Sequence, residues 1–156
     1  MKVGQRSEVV QAPGARILLV VAPYYRSITD MMESGAHAAA AIVGAKLEKI
    51  VVPGAFEIPG AIAAAARIAT YEGFVALGCV VRGETSHYDY VCGESARGLM
   101  DLTIRDGLAI GYGILTVNTL AQAEERADPV RGDKGGESVK AAAAMIALKR
   151  RYAETA

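Results

Sequence analysis

The stretch FVALGCVVRGETSHYDYV (74–91) changes character halfway along. From Phe74 to Val81 it is a near-continuous apolar run, the pattern of a strand covered on both faces. Arg82, Glu84, Thr85, Ser86, His87, Tyr88 and Asp89 then follow within eight positions. An apolar strand that opens into a glycine, two hydroxyls and a histidine predicts a strand whose carboxyl end carries chemistry. Its partners have to come from elsewhere in the chain.

Three more apolar runs supply the neighbouring strands: RILLVVA (16–22), LEKIVVPG (47–54) and LAIGYGILT (108–116). The second is the weakest, because charged residues occupy its first half. Helical stretches lie between them. SITDMMESGAHAAAAIVG (27–44) opens on Ser27, Thr29 and Asp30, which are capping types, and EIPGAIAAAARIAT (57–70) carries Pro59 where a first turn tolerates it. GESARGLMDLTIRDG (93–107) puts Leu99, Leu102 and Thr103 on one face, and LAQAEERA (120–127) is short. GESVKAAAAMIALKRRYAE (136–154) is alanine-rich, with a basic end that suits the helix dipole. Strand and helix thus alternate four times before a final helix. That order predicts a three-layer α/β/α sandwich on a four-stranded parallel sheet with right-handed crossovers. Residues 16–156 read as a single α/β domain. Residues 1–15 read as an amino-terminal arm, either a loose tail or a segment docked on a neighbouring subunit.

Composition narrows the function. The 156 residues are 52% apolar and 22% charged, a globular balance. Lys+Arg and Asp+Glu are both 17, so there is no basic surplus for a nucleic-acid footprint. The two cysteines, Cys79 and Cys92, lack zinc-ligand or redox spacing and read as reduced thiols. The start, MKVGQRSEVVQAPGAR, has no apolar signal core, and no window approaches the roughly 20 apolar residues that span a bilayer. The expectation is a cytoplasmic protein with neither a nucleic acid nor a membrane as partner.

Ligands of parallel sheets bind beyond the carboxyl ends of the strands. Those ends read APYYRSIT, VPGAFEIP, RGETSHYDY and GYGILTVNT, and together they offer aromatic faces, a carboxylate, hydroxyls and one histidine. That set suits a planar, polyhydroxylated ligand. Each member also has a plainer role available. Tyr24 and Tyr25 can cap the core edge, Glu57 can answer a helix dipole, and His87 can be a surface histidine. His37, in an alanine-rich helix, reads as structural or exposed. The turn from Gly83 to Ser86 precedes helical sequence, so its backbone N–H groups can face an anion. There is no GxxxxGK[ST] and no GxGxxG after the first strand, which argues against an ordinary nucleotide site. EERADPVRGDKGGE holds the other cationic candidates, Arg126, Arg131 and Lys134, and serves equally well as a solvated turn between helices.

Taken together, VPGAFEIP, LGCVVRGETSHYDYV, YGILT and AEERADPVRGDKG, in this order and spacing, resemble the 6,7-dimethyl-8-ribityllumazine synthase family from about Arg16 to Tyr152. The resemblance implies a flavodoxin-like fold and the penultimate step of riboflavin biosynthesis. In that step 5-amino-6-(D-ribitylamino)uracil condenses with 3,4-dihydroxy-2-butanone 4-phosphate, releasing phosphate and water, without metal or organic cofactor. By position, Tyr24 matches the aromatic that stacks on the pyrimidine. Ala55, Phe56 and Glu57 match the segment taking the uracil edge and ribityl chain, and Cys79, Val80 and Val81 the strand end beside the heterocycle. Glu84 and Thr85 match the phosphate loop and Arg126 the phosphate-binding arginine. His87 matches the proton-transfer histidine, Tyr112 a pocket aromatic near its strand end, and Lys134 the lysine of the late basic loop. An imidazole of ordinary pKa, about 6.5, takes and gives protons near neutrality.

Several positions depart from the family pattern. Asp133 stands where asparagine is common and puts a negative charge either near the expected phosphate or toward solvent. Tyr24 and Tyr112 replace phenylalanine or tryptophan but keep an aromatic face. Glu84 fits beside a phosphate only if the loop acts through its backbone. The same motifs leave room for a non-catalytic flavin- or lumazine-binding relative, or for a riboflavin synthase on the same fold. The resemblance further implies a homo-oligomer, a pentamer or multiples of it, with sites shared so that Tyr24 of one subunit faces His87 of the next. Pro13 near the arm leans toward the smaller assembly, because proline cannot donate a ladder hydrogen bond.

Overall fold

In a computed structural model that describes residues 8–68 and 70–155, Arg16–Val21 (β1), Lys46–Val51 (β2), Gly73–Val81 (β3) and Ala109–Val117 (β4) form one parallel sheet in the order β2–β1–β3–β4. Helices Arg26–Val43 (α1), Ile58–Ala66 (α2), His87–Arg105 (α3), Leu120–Ala127 (α4) and Lys134–Glu154 (α5) follow the strands in the expected order. Two cores separate the layers. Ile17, Leu19, Val21, Val75 and Leu77 pack with Met32 and Ala36 of α1, Ala123 of α4 and Ala142 of α5. On the opposite face, Leu18, Val20, Phe74 and Ala76 pack with Ile62 of α2 and Leu99 of α3. Alternate residues of each central strand therefore feed different cores, which is why the strands read as unbroken apolar runs. The α/β/α sandwich stands, and the strand order is the flavodoxin-like one.

Three features differ from the sequence reading. The strand β2 is not covered on both faces: it pairs only with β1, and all but one of its residues are exposed. An edge strand tolerates Lys46, Glu48 and Lys49, which explains the charges in that run. Helix α3 begins at His87, six residues earlier than the sequence suggests, so His87 sits in a first helical turn and not in a loop. The weak helix formers Tyr88 and Tyr90 hide that start, while Asp89 in the first turn favours it. Finally, Tyr112 is not near its strand end; it pairs with Ala76 in the middle of the sheet.

Of the amino-terminal arm, residues 1–7 lie outside the described residues. Within the described part, Ala12 and Ala15 are buried, the Ala12 N–H donates to the Val43 carbonyl at 2.9 Å, and Arg150 Nη1 donates to the Pro13 carbonyl at 3.1 Å. The end of the arm thus packs on its own chain. Arg150 also makes a forked pair with Glu72, which holds that carboxyl below the ordinary carboxylate range. That contribution is fully present above the unfolded carboxyl's pKa and is lost as the pH falls through the depressed value.

Helices α1 and α5 meet through small residues. A Cβ on Gly135 would lie 2.0 Å from the Met32 carbonyl oxygen, so the two backbones touch where no side chain fits. Gly135→Ala is therefore expected to destabilise the fold by about 3 kcal/mol, a fall of about 10 °C in Tm, measurable by calorimetry. Gly44, at φ 78, closes α1 in the left-handed region and donates its N–H to the Ala40 carbonyl.

Candidate active site

Sheet order reverses between β1 and β3, and a cleft of about 530 Å³ opens at the carboxyl edge there. Its walls come from three strand ends and one helix. Tyr24 and Tyr25 follow β1, Gly54 to Glu57 follow β2, Cys79 to Val81 end β3, and His87, Tyr90 and Val91 face in from α3. Eight of the expected residues thus share one cleft: Tyr24, Ala55, Phe56, Glu57, Cys79, Val80, Val81 and His87. Tyr24 and His87 line it within the same chain, which corrects the expectation that they face each other across subunits.

Aromatic surface dominates the entrance. Tyr24 is 76% exposed and Phe56 57% exposed, rings that only a ligand or another chain would cover. Tyr24 meets Tyr25 edge-on, with ring centroids 5.0 Å apart, and Tyr25 in turn packs on the core. Burial raises the pKa of the Tyr25 phenol, and the neighbouring Tyr24 and Cys79 add to the shift. Ala55–Glu57 form a 3₁₀ turn leading into α2, and Glu57 stands at the cap position of that helix. A Cβ on Gly54 would lie 3.1 Å from Glu57 Oε2, so glycine leaves room for the carboxylate to fold over the turn.

Cys79 lies in the cleft wall at 6% exposure, and burial pushes its thiol up to about 11. It is therefore a protonated, inert lining group at neutral pH. Treating the protein with iodoacetamide at pH 7.5 should leave Cys79 unlabelled by mass spectrometry, and substantial modification would contradict its burial.

Five expected residues lie outside this cleft in the single chain. Glu84 and Thr85 are exposed in the turn before α3, where Thr85 Oγ1 accepts from the His87 N–H at 3.4 Å. The cap residue Ser86 makes no side-chain capping bond, so N–H groups at the amino end of α3 can face an anion. Arg126 is in the last turn of α4, with Nη1 donating to the Gln122 carbonyl at 3.1 Å. Lys134 is the first residue of α5. Tyr112 is 50% exposed on β4, where burial and the nearby Cys92 and Tyr88 raise its pKa. Asp133 caps α5 from a left-handed conformation, φ 49, and its carboxylate accepts from the Gly136 N–H at 3.2 Å. That carboxylate also lies over Gly35 of α1, where any Cβ would clash with it. The side chain at 133 thus has a structural use, one that an asparagine Oδ1 would serve equally, and nothing in the structure explains the added charge.

Sequence reading left Tyr25, Gly54, Tyr90 and Val91 out of the site. A helical period counted from His87 would have found Tyr90 and Val91 at i+3 and i+4. Among the described residues, no group of three or more His, Cys, Asp or Glu side chains could hold a metal ion, and no helix is long and apolar enough to cross a membrane.

Fold and cleft together define a flavodoxin-like α/β protein whose site opens at the reversal point of the sheet. The family model of 6,7-dimethyl-8-ribityllumazine synthase matches residues 14–150. A relative of that name from Novosphingobium aromaticivorans is 55% identical over 88% of this chain and 99% of its own length. Those from Erythrobacter litoralis and Sphingopyxis alaskensis are 54% and 51% identical over 88% of this chain and 98% and 97% of theirs. The chain belongs to the 6,7-dimethyl-8-ribityllumazine synthase family.

Proposed function

We propose that this protein condenses 5-amino-6-(D-ribitylamino)uracil with 3,4-dihydroxy-2-butanone 4-phosphate to give 6,7-dimethyl-8-ribityllumazine. The observation that carries this reading is the meeting of Tyr24, the Ala55–Glu57 turn, the Cys79–Val81 strand end and His87 in one cleft. The ring of the uracil lies on Tyr24 and along the strand end, with the ribityl hydroxyls on Glu57. The phosphate rests on the turn around Glu84 and Thr85 and the amino end of α3. The 5-amino group then attacks the ketone, and loss of water leaves an imine. Loss of the C3 proton expels phosphate with its bonding electrons, the enol left at C3 tautomerises to a ketone, and attack by the ribitylamino nitrogen on that ketone closes the ring with loss of a second water. His87 moves protons between the amine and the leaving groups. Much of the acceleration comes from holding two reactants together.

Arg126, Lys134 and Tyr112 enter this scheme from a neighbouring subunit. Their distance from the cleft of their own chain supports a homo-oligomer, with a ring of five as the smallest active species. The exposed Met100 and Ile104 of α3 and the 92%-exposed Val130 supply apolar surface for such contacts. The two cysteines are free thiols, which supports a reducing, cytoplasmic setting.

Incubating the purified protein with both substrates tests the reading: lumazine fluorescence and free phosphate should rise in equal amounts. Product without phosphate, or no product, would refute it, and consumption of added lumazine would identify a riboflavin synthase. His87→Ala is expected to lower turnover about 10-fold or more while leaving the fold intact, with residual activity because the condensation is chemically easy.

A further inference from the structure

Arg82 follows β3 directly and is absent from the lining of the cleft, yet it ties together the elements that carry the site. Its Nε donates to Asn118 Oδ1 at 3.0 Å, in the turn between β4 and α4. Its Nη1 lies 3.5 Å from Asp89 Oδ1, and its guanidinium sits 4.2 Å from the centre of the Tyr88 ring. Tyr88 and Asp89 are the two residues after His87 in the first turn of α3. The turn on the other side is stiff. Thr119 and Gln122 form a reciprocal capping box, and the Asn118 N–H donates to Gln122 Oε1 at 2.8 Å. One planar side chain therefore fastens the His87 turn to the start of the helix that bears Arg126. Only a guanidinium can offer an edge to an amide, another to a carboxylate and a face to a ring at once.

Charge adds a second consequence. Asp89 places a carboxylate in the helix turn that the proposed phosphate would approach, and Arg82 offsets it. The geometry points to Arg82 as a positioning residue for the condensation, holding His87 and the Gly83–Ser86 turn in place and masking Asp89 from the phosphate. This rests on the synthase reading above. Arg82 and Asp89 side chains are 48% and 63% exposed, so the pair adds little to stability. Misplacing a proton-transfer group by about 1 Å, in contrast, can cost up to about 100-fold in rate.

The test is a set of variants, Arg82→Ala, Arg82→Lys and Arg82→Ala/Asp89→Asn, each measured by steady-state kinetics and melting. Arg82→Ala should lower kcat/KM for the butanone phosphate about 10-fold, with KM for the uracil within about 2-fold and Tm within about 3 °C. Arg82→Lys, which keeps the charge and loses the fork, should recover less than half of the loss. Removing the unmasked carboxylate in Arg82→Ala/Asp89→Asn should bring back about 3-fold in KM for the phosphate substrate but not kcat. Wild-type kinetics in Arg82→Ala, a full rescue by lysine, no rescue by Asp89→Asn, or parallel changes in both KM values with a fallen Tm would each overturn the assignment. If the wild-type protein makes no lumazine, the synthase reading fails, and amide exchange across residues 83–90 decides the clamp separately. Exchange about 10-fold faster in Arg82→Ala supports it, and unchanged exchange overturns it.

Discussion

Arg126→Ala is expected to raise KM for the butanone phosphate by about 10- to 100-fold while changing KM for the uracil less than about 3-fold. The size follows from one charge-assisted contact, worth about 1.5–3 kcal/mol. The asymmetry follows from placement. Arg126 lies in the last turn of α4, away from the cleft of its own chain. One of its donors is already committed to the Gln122 carbonyl, which directs the rest of the guanidinium along the helix end. Arg126→Lys keeps the charge but loses bidentate geometry, and should recover only part of the affinity. Steady-state kinetics with each substrate varied in turn is the measurement. Equal effects on both KM values would mean that Arg126 only stabilises the end of α4.

A gain of activity is expected when two crippled chains are mixed. His87 belongs to the cleft of its own chain, whereas Arg126 of that chain does not reach the same cleft. If neighbouring subunits complete each other's sites, His87→Ala and Arg126→Ala chains co-refolded in equal amounts should form rings in which about one quarter of the sites are intact. Assayed at a butanone phosphate concentration far below KM of the Arg126→Ala protein, the mixture should exceed the activity of either parent several-fold. Absence of recovery in rings shown by native mass spectrometry to be mixed would refute the shared site. Light scattering that finds a fully active monomer would refute the ring itself. Tyr24→Ala is expected not to complement His87→Ala, because both residues line one cleft.

Sequence and structure divide this protein along physical lines. The alternation of apolar runs with alanine-rich helices determined the α/β/α sandwich, because a strand buried on both faces cannot hide its composition. The strand ends after β1, β2 and β3 pointed to the cleft for a related reason: polar and aromatic residues interrupt apolar sequence only where the chain leaves the core. The motifs also determined the family, on spacing that the match over residues 14–150 supports. Tertiary structure alone decided the rest. That β2 is an edge strand depends on sheet order, which no local window encodes. That α3 starts at His87 goes with contacts that Tyr88 and Asp89 make with Arg82, which no local helix propensity encodes. Asp133 read as a charge either near the phosphate or toward solvent, whereas its carboxylate caps α5 and lies over Gly35, nearly a hundred positions away. Tyr112, within the fourth strand, and Arg126, in the helix after it, lie outside the cleft, because a side chain's address is set by which face of the sheet and which end of a helix it occupies. Sequence specifies the groups available for chemistry; packing specifies which of them can meet.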